Sequence, residues 1–134
     1  MQQALLDSSA LFALIDPQDR YYKPAREIYQ RVKQKGYHLI TTDYLLDEIF
    51  TLITSRLSRK HAIEYAKLWP NQDVDLIFVT EQDFFSAKEL FEHYHDKNWS
   101  FTDCVSFAVM KRLNIDTAFS FDRNFTQAGF NLLK

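Results

Sequence analysis

Apolar residues along the chain fall into short runs that alternate with stretches of helical periodicity. Ala4-Leu5-Leu6 closes a short apolar segment, and residues 3–6 read as a buried strand. A helix is expected from Ser9 to Ile15. Asp16-Pro17-Gln18-Asp19-Arg20 has the composition of a turn. A second helix runs from Lys23 to Gln34 and stops before Gly36, a residue free to take the left-handed conformation that ends helices. His38 to Thr41 form a second strand. Leu45, Ile49, Leu52, Ile53 and Leu57 recur at helical spacing within a helix from Asp43 to Ser58.

The pattern then repeats. A helix from Lys60 to Trp69 ends at Pro70, and Leu76 to Val79 read as a third strand. Helices follow at Glu81–His93 and Thr102–Leu113, then a fourth strand at Thr117–Phe121 and a short fifth at Phe130–Leu133. Strands alternating with helices predict an α/β fold, in which a parallel sheet of four or five strands is covered on both faces. Asn114, in a helix-to-strand turn, is the next-best residue after Gly for that position.

Length and composition narrow this picture. The 134 residues suit one domain spanning 1–134, with 46% hydrophobic and 16% aromatic residues, enough for a sizeable core. Two Gly and three Pro argue against a turn-rich sandwich. No apolar stretch approaches a membrane span, and Met1-Gln2-Gln3 lacks the basic start of a signal peptide. The single Cys104 has no internal disulfide partner, so a reducing, cytoplasmic setting is the expectation. A net charge of −2 is close to neutral as an indicator of nucleic-acid binding.

Candidate chemistry comes from acids at the ends of these elements. Asp7 ends the first strand, Asp122 follows the fourth, Asp103 opens a helix and Glu48 lies early in another. Residues 95–101 reach about 23 Å when extended, long enough to bring the helix of Asp103 to the edge shared by Asp7 and Asp122. Ligands of open α/β sheets bind at that carboxyl edge. Each acid also has a structural reading: Asp7 caps a helix, Ser100-x-x-Asp103 resembles a capping box, and Asp122 forms an Asx-turn. Periodicity leaves Glu48 and Asp47 as equal choices. Acids gathered at one edge repel unless a cation compensates, and an all-oxygen set suits Mg²⁺ or Mn²⁺. Asp116 precedes its strand and belongs at the opposite edge. His93-x-His95 has no metal-site spacing, and Cys104, lacking a His partner, reads as a packed apolar group.

Four segments carry a family likeness: Leu6-Asp7-Ser8-Ser9-Ala10-Leu11, Thr42-Asp43-Tyr44-Leu45-Leu46-Asp47-Glu48, Ser100-Phe101-Thr102-Asp103-Cys104, and Ser120-Phe121-Asp122-Arg123-Asn124-Phe125. In order and spacing they resemble a PIN-domain ribonuclease, in particular the VapC-like toxin half of bacterial toxin–antitoxin pairs. The resemblance implies a Rossmann-like three-layer α/β/α fold with strand order 3-2-1-4-5. It implies Mg²⁺- or Mn²⁺-dependent cleavage of RNA, a homodimer, and inhibition by a cognate antitoxin protein. It makes Asp7, Glu48, Asp103 and Asp122 the catalytic and metal-binding quartet, selecting Glu48 over Asp47, with Ser9 and Thr102 as polar support. Asn124 departs from the pattern, since His is common after the fourth acid. Arg20 and Arg123, together with Arg56 and Lys60, are the cationic candidates for contact with an RNA backbone. Tyr21 and Trp99 are candidates for stacking on bases, with core burial the competing fate of Trp99. Two other functions remain open: an RNA-binding or protein-interaction module without turnover, and an aspartate-based phosphatase, in which Ser9 stands where a second Asp is usual.

Overall fold

The structure is a computed structural model describing residues 2–134. Its elements follow in chain order: β1 (Gln3–Leu6), α1 (Ser8–Ile15), α2 (Tyr22–Lys35), β2 (His38–Thr42), α3 (Asp43–Arg56), α4 (Arg59–Ala66), β3 (Val74–Ile77), α5 (Glu81–His93), α6 (Phe101–Arg112), β4 (Thr117–Phe119), α7 (Asn124–Gln127) and β5 (Asn131–Leu132). All five strands are parallel, in the order β3-β2-β1-β4-β5. The expected α/β class, strand order and two-sided helical cover are all present.

Pleat alternation in the strands builds two cores. Ala4 and Leu6 of β1, Leu39 of β2 and Phe119 of β4 pack with α1, α2, α3 and α4 on one face. Leu5, Ile40 and Ala118, one residue out of step, pack with α5, α6 and α7 on the other. With apolar residues facing both ways, the central strand β1 reads as a continuous run. Burying a Leu or Phe side chain contributes about 1.5–3 kcal/mol, so this doubled core dominates the stability.

Several boundaries differ from the sequence reading for visible reasons. β3 lies two residues earlier than expected: Val79 has left the ladder and donates its N–H to Asp43 Oδ1 at 2.8 Å, and Phe78 is exposed. Asp75 is tolerated inside this edge strand because it faces His38 at 2.6 Å. α3 stops at Arg56 rather than Ser58 because Ser58 caps the next helix, its hydroxyl accepting from His61 N at 3.1 Å. β4 ends at Phe119, since the N–H groups of Phe121 and Asp122 turn to serine hydroxyls. The four-residue α7 was not expected. Gly36 and Asn114 both take the left-handed conformation, with φ of 72° and 55°.

The strand order changes direction at β1. The chain steps outward through β2 and β3 on one side and through β4 and β5 on the other. The crevice at such a reversal is where ligands of open α/β sheets bind. Asp7 and Ser120 emerge there side by side, with Asp7 N donating to Phe119 O at 3.0 Å.

Candidate active site

A cleft of about 520 Å³ opens over this reversal. Asp7, Glu48, Asp103 and Asp122 all line it, together with Ser8, Ser9, Arg20, Tyr21, Arg56 and Asn124. Asp7 sits at its base and is buried. Its Oδ2 accepts two hydroxyl hydrogen bonds, from Ser9 at 2.9 Å and from Ser120 at 2.8 Å. Each hydroxyl is aligned in turn by a backbone donor, Phe121 N to Ser9 and Asp122 N to Ser120, both at 3.0 Å. Both serine protons are committed to the carboxylate, so the 3.2 Å contact between the two hydroxyls is packing rather than a further bond. Burial pushes the Asp7 carboxyl up to about 6; the two hydroxyls oppose the shift and the charges of Asp103 and Glu48 add to it.

Asp103 closes a capping box at the start of α6. Its N–H donates to Ser100 Oγ at 3.0 Å, and its Oδ2 accepts from Ser100 N at 3.1 Å. The cap fixes the carboxylate rather than competing with a role in the cleft. Asn124 Nδ2 donates to the same oxygen at 2.9 Å and reaches Asp122 Oδ2 at 3.4 Å, bridging the third and fourth acids. Asp122 Oδ1 also accepts from Asn124 N at 2.9 Å, the Asx-turn that sets up α7. Burial raises the Asp103 carboxyl above its ordinary value, against hydrogen bonds from Asn124 and Ser100 and with the charge of Asp122. Glu48 is half-buried and accepts from the Ser8 hydroxyl, whereas Asp47 points outward and is exposed.

None of the four acids forms an ion pair with a Lys, Arg or His among the described residues. The buried Asp7 and the three half-buried acids around it thus share the cleft without a salt-bridged cation among the described residues. Among the described residues no three of them close into a ready-made metal shell either. The donors are all oxygen, which suits Mg²⁺, an ion that keeps several of its waters and takes few protein ligands.

The PIN domain family matches residues 4–131, nearly the whole chain. The chain belongs to that family. Among its relatives, the 23S rRNA-specific endonuclease VapC20 of Mycobacterium tuberculosis is 29% identical over 125 residues, 93% of each chain. The VapC ribonuclease of Aquifex aeolicus is 22% identical over 135 residues, 94% of this chain and 92% of that one. The crystal structure of VapC20, described as a sarcin-ricin loop cleaving toxin, superimposes with a TM-score of 0.84 at 27% identity over 95% of both chains. VapBC2 from Rickettsia felis, bound to a promoter DNA fragment, shares the fold with a TM-score of 0.73 at 12% identity, covering 98% of this chain and 97% of that one.

Within this PIN fold the remaining sequence candidates divide. Ser9 and Arg20 are in the cleft. Thr102 and Arg123 do not line it: Thr102 lies one residue before Asp103, where Ser100 supplies the cap, and Arg123 is exposed just before α7. Lys60 is likewise outside, while Arg56 is inside. Trp99 is core, with its indole N–H on Gln127 Oε1 at 3.1 Å. Tyr21 lines the cleft but is stacked on Phe121, with centroids 4.4 Å apart and planes at 5°. Cys104 is fully buried, its thiol pushed up to about 11 by burial and then by Asp103. His93 and His95 are exposed.

Three residues had no site role in the sequence reading. Ser120 directly holds Asp7, Ser8 holds Glu48, and Asn124, at the position where His is common in the family pattern, joins two acids. The signal for Ser120 was a hydroxyl closing an otherwise apolar strand at the same edge as Asp7.

Proposed function

We propose that this PIN-domain chain is a VapC-type endoribonuclease that hydrolyses RNA phosphodiester bonds with Mg²⁺ or Mn²⁺ held by Asp7, Glu48, Asp103 and Asp122. One observation carries the reading: a buried Asp7 carboxylate whose side-chain partners among the described residues are hydroxyls, in a cleft with three more acids and no salt-bridged cation among those residues. The ribonuclease names of the relatives agree with it.

In this reading Asp7, Glu48, Asp103 and Asp122 would together hold the cation. Once bound, the cation supplies Lewis-acid polarisation of the phosphodiester and neutralises the acids. The residues of the chain do the rest. Ser9 and Ser120 fix one Asp7 oxygen and leave the other free. Asn124 holds Asp103 and Asp122 at a set separation, and Ser8 orients Glu48. Hydrolysis adds water oxygen to phosphorus, breaks the bond to the 3′ oxygen and places a proton there, giving a 5′-phosphate and a 3′-hydroxyl. The reading extends to a cytoplasmic homodimer neutralised by a cognate antitoxin protein. The structural neighbours that are toxin–antitoxin complexes support that partner. No helix among the described residues is long and apolar enough to cross a membrane.

The test is cleavage of total RNA with Mn²⁺, with Mg²⁺ and with chelator, by wild type and by Asp7→Asn. Metal-dependent cutting that disappears in a folded Asp7→Asn variant is the expected result. RNA bound but left uncut in Mn²⁺ would assign the fold to a binding module instead.

A further inference from the structure

The cleft has an acidic floor and a cationic rim, and the two are kept apart. Arg20 and Arg56 line the same cleft as the four carboxylates, yet neither forms an ion pair with any of them or with another acid among the described residues. Each guanidinium instead lies over an aromatic ring. Arg20 sits 4.9 Å from the centroid of Tyr21, and Arg56 sits 5.0 Å from that of Phe12. Both rings are themselves fixed. Tyr21 is stacked flat on Phe121, and its N–H donates to Asp19 Oδ1 at 2.9 Å; Phe12 is buried in α1. An arginine lying on a ring keeps its planar fork of N–H donors free at the edge. Two such forks beside a polyanionic floor would collapse onto the carboxylates if they were free to move.

We propose that Arg20 and Arg56 are the residues that grip the phosphates of RNA in this cleft, held in readiness by Tyr21 and Phe12. The inference rests on the nuclease reading for the identity of the ligand. It replaces Arg123 with Arg56 as the second cation, because Arg56, in the last turn of α3, lines the cleft and Arg123 does not. Tyr21 then serves as the seat for Arg20 rather than as a base-stacking platform. RNA is favoured over an acidic protein segment because the two forks share one cleft with the four acids that would act on a phosphodiester.

The experiment measures binding and cleavage separately. Affinity for a fluorescein-labelled single-stranded oligoribonucleotide is followed by anisotropy across a salt series, using Asp7→Asn to prevent cutting. Arg20→Ala and Arg56→Ala are added singly and together. Each phosphate contact to a single strand contributes about 0.7 to the slope of log affinity against log salt, so the double variant is expected to lose about 1.4. In the Asp7-intact protein the same pair should raise KM about tenfold or more while kcat changes less than about threefold, the pattern for removal of binding shared by substrate and transition state. Arg→Lys at each site should restore part of the salt slope but less of the affinity, because an ammonium cannot make the forked contact. Thermal melts check that the variants remain folded. An unchanged slope and KM in the double variant overturns the inference while leaving the nuclease reading intact. A lost slope in a protein that never cuts RNA leaves the grip in place and removes the nuclease reading. Absence of RNA binding at low salt, or displacement of RNA by polyglutamate with the same dependence on both arginines, also overturns the assignment.

Discussion

Ser120 donates its hydroxyl proton to Oδ2 of Asp7 at 2.8 Å, across a sequence separation of 113 residues. The bond ties the end of β4 to the end of β1 at the point where the sheet order reverses. It also opposes the burial that raises the Asp7 carboxyl. A hydrogen bond to a charged group contributes about 1.5–3 kcal/mol, so its loss should be measurable. In Ser120→Ala the Asp7 carboxyl is expected to titrate at higher pH than in the wild type. If cleavage needs ionised Asp7, the acid limb of the pH–rate profile moves to higher pH. The variant should then lose several times more activity near pH 6 than near pH 8. An equal loss at both would leave Ser120 a packing role only.

Asp7 itself gives a stability prediction with a definite sign. Its folded-state value of about 6 lies above the ordinary 3.8 expected for the unfolded chain. The folded state therefore holds the proton more tightly, and the protonated carboxyl is favourable at low pH. That contribution is fully present below the unfolded value and is lost as pH rises through about 6. Above it, the metal-free protein carries a buried anion costing about 3 kcal/mol. Asp7→Asn should raise the Tm of the chelated protein by several degrees near pH 8, with the difference vanishing near pH 4. Mn²⁺ should raise the Tm of wild type and leave that of Asp7→Asn almost unmoved. Melting curves with and without chelator read both effects.

How far the sequence revealed this site depends on which contacts are local. Strand-end acids were legible because a short apolar run followed by Asp marks a sheet edge, and Asp7 and Asp122 fall there in space. Asp103 was legible twice over, since Ser100-x-x-Asp103 is a local cap whose geometry also aims the carboxylate. Glu48 needed the family resemblance, because Asp47 and Glu48 differ only in which side of α3 meets the cleft. Helical spacing does not record that choice.

The missed contacts are long-range or too short to have a period. Ser120 to Asp7 and Ser8 to Glu48 depend on which strands become neighbours. Helix α7 is a single turn, shorter than any repeat of its pattern, and is set by the Asx-turn at Asp122. β3 lies two residues earlier because the exposed Phe78 and the partly buried Val79 extend the apolar run past the ladder, where Val79 N turns to Asp43. Arg56 and Arg123 were indistinguishable by charge. Only their places in the fold separate them: Arg56 ends α3 beside the cleft, and Arg123 precedes α7 outside it.

Asn124 spaces Asp103 from Asp122 with one neutral amide. Replacing it with Asp puts a fifth carboxylate between two others. The added like charge should raise the Asp103 carboxyl further and lower the Tm of the chelated protein at neutral pH. Saturating Mn²⁺ should close most of that gap, because the cation compensates the charge that the amide had avoided. The comparison is Asn124→Asp against wild type, each melted with chelator and with Mn²⁺. An equal gap under both conditions would place the cation away from Asp103 and Asp122.

The last prediction concerns a clamp outside the cleft. Arg112, ending α6, donates through Nε and a second guanidinium nitrogen to the two oxygens of Asp83, each at 2.8 Å, and Asp83 is buried near the start of α5. Burial pushes the Asp83 carboxyl up, but the hydrogen bonds from Arg112 and Thr80 outweigh it and hold the group below its ordinary value. Its contribution is therefore present above the unfolded value and is lost as pH falls through the lower folded one. Arg112→Ala strands a buried carboxylate. Arg112 is itself partly solvated, so the cost falls below that of a fully buried pair, to about 2 kcal/mol near neutral pH. Arg112→Ala combined with Asp83→Asn should recover part of it, because no buried charge remains. Nine residues of helix, about 13 Å, separate Arg112 from Asp103. RNA cleavage per folded molecule should accordingly stay within about twofold of wild type in both variants while denaturant midpoints fall. Loss of cleavage at unchanged stability would mean that the α5–α6 clamp sets the cleft geometry.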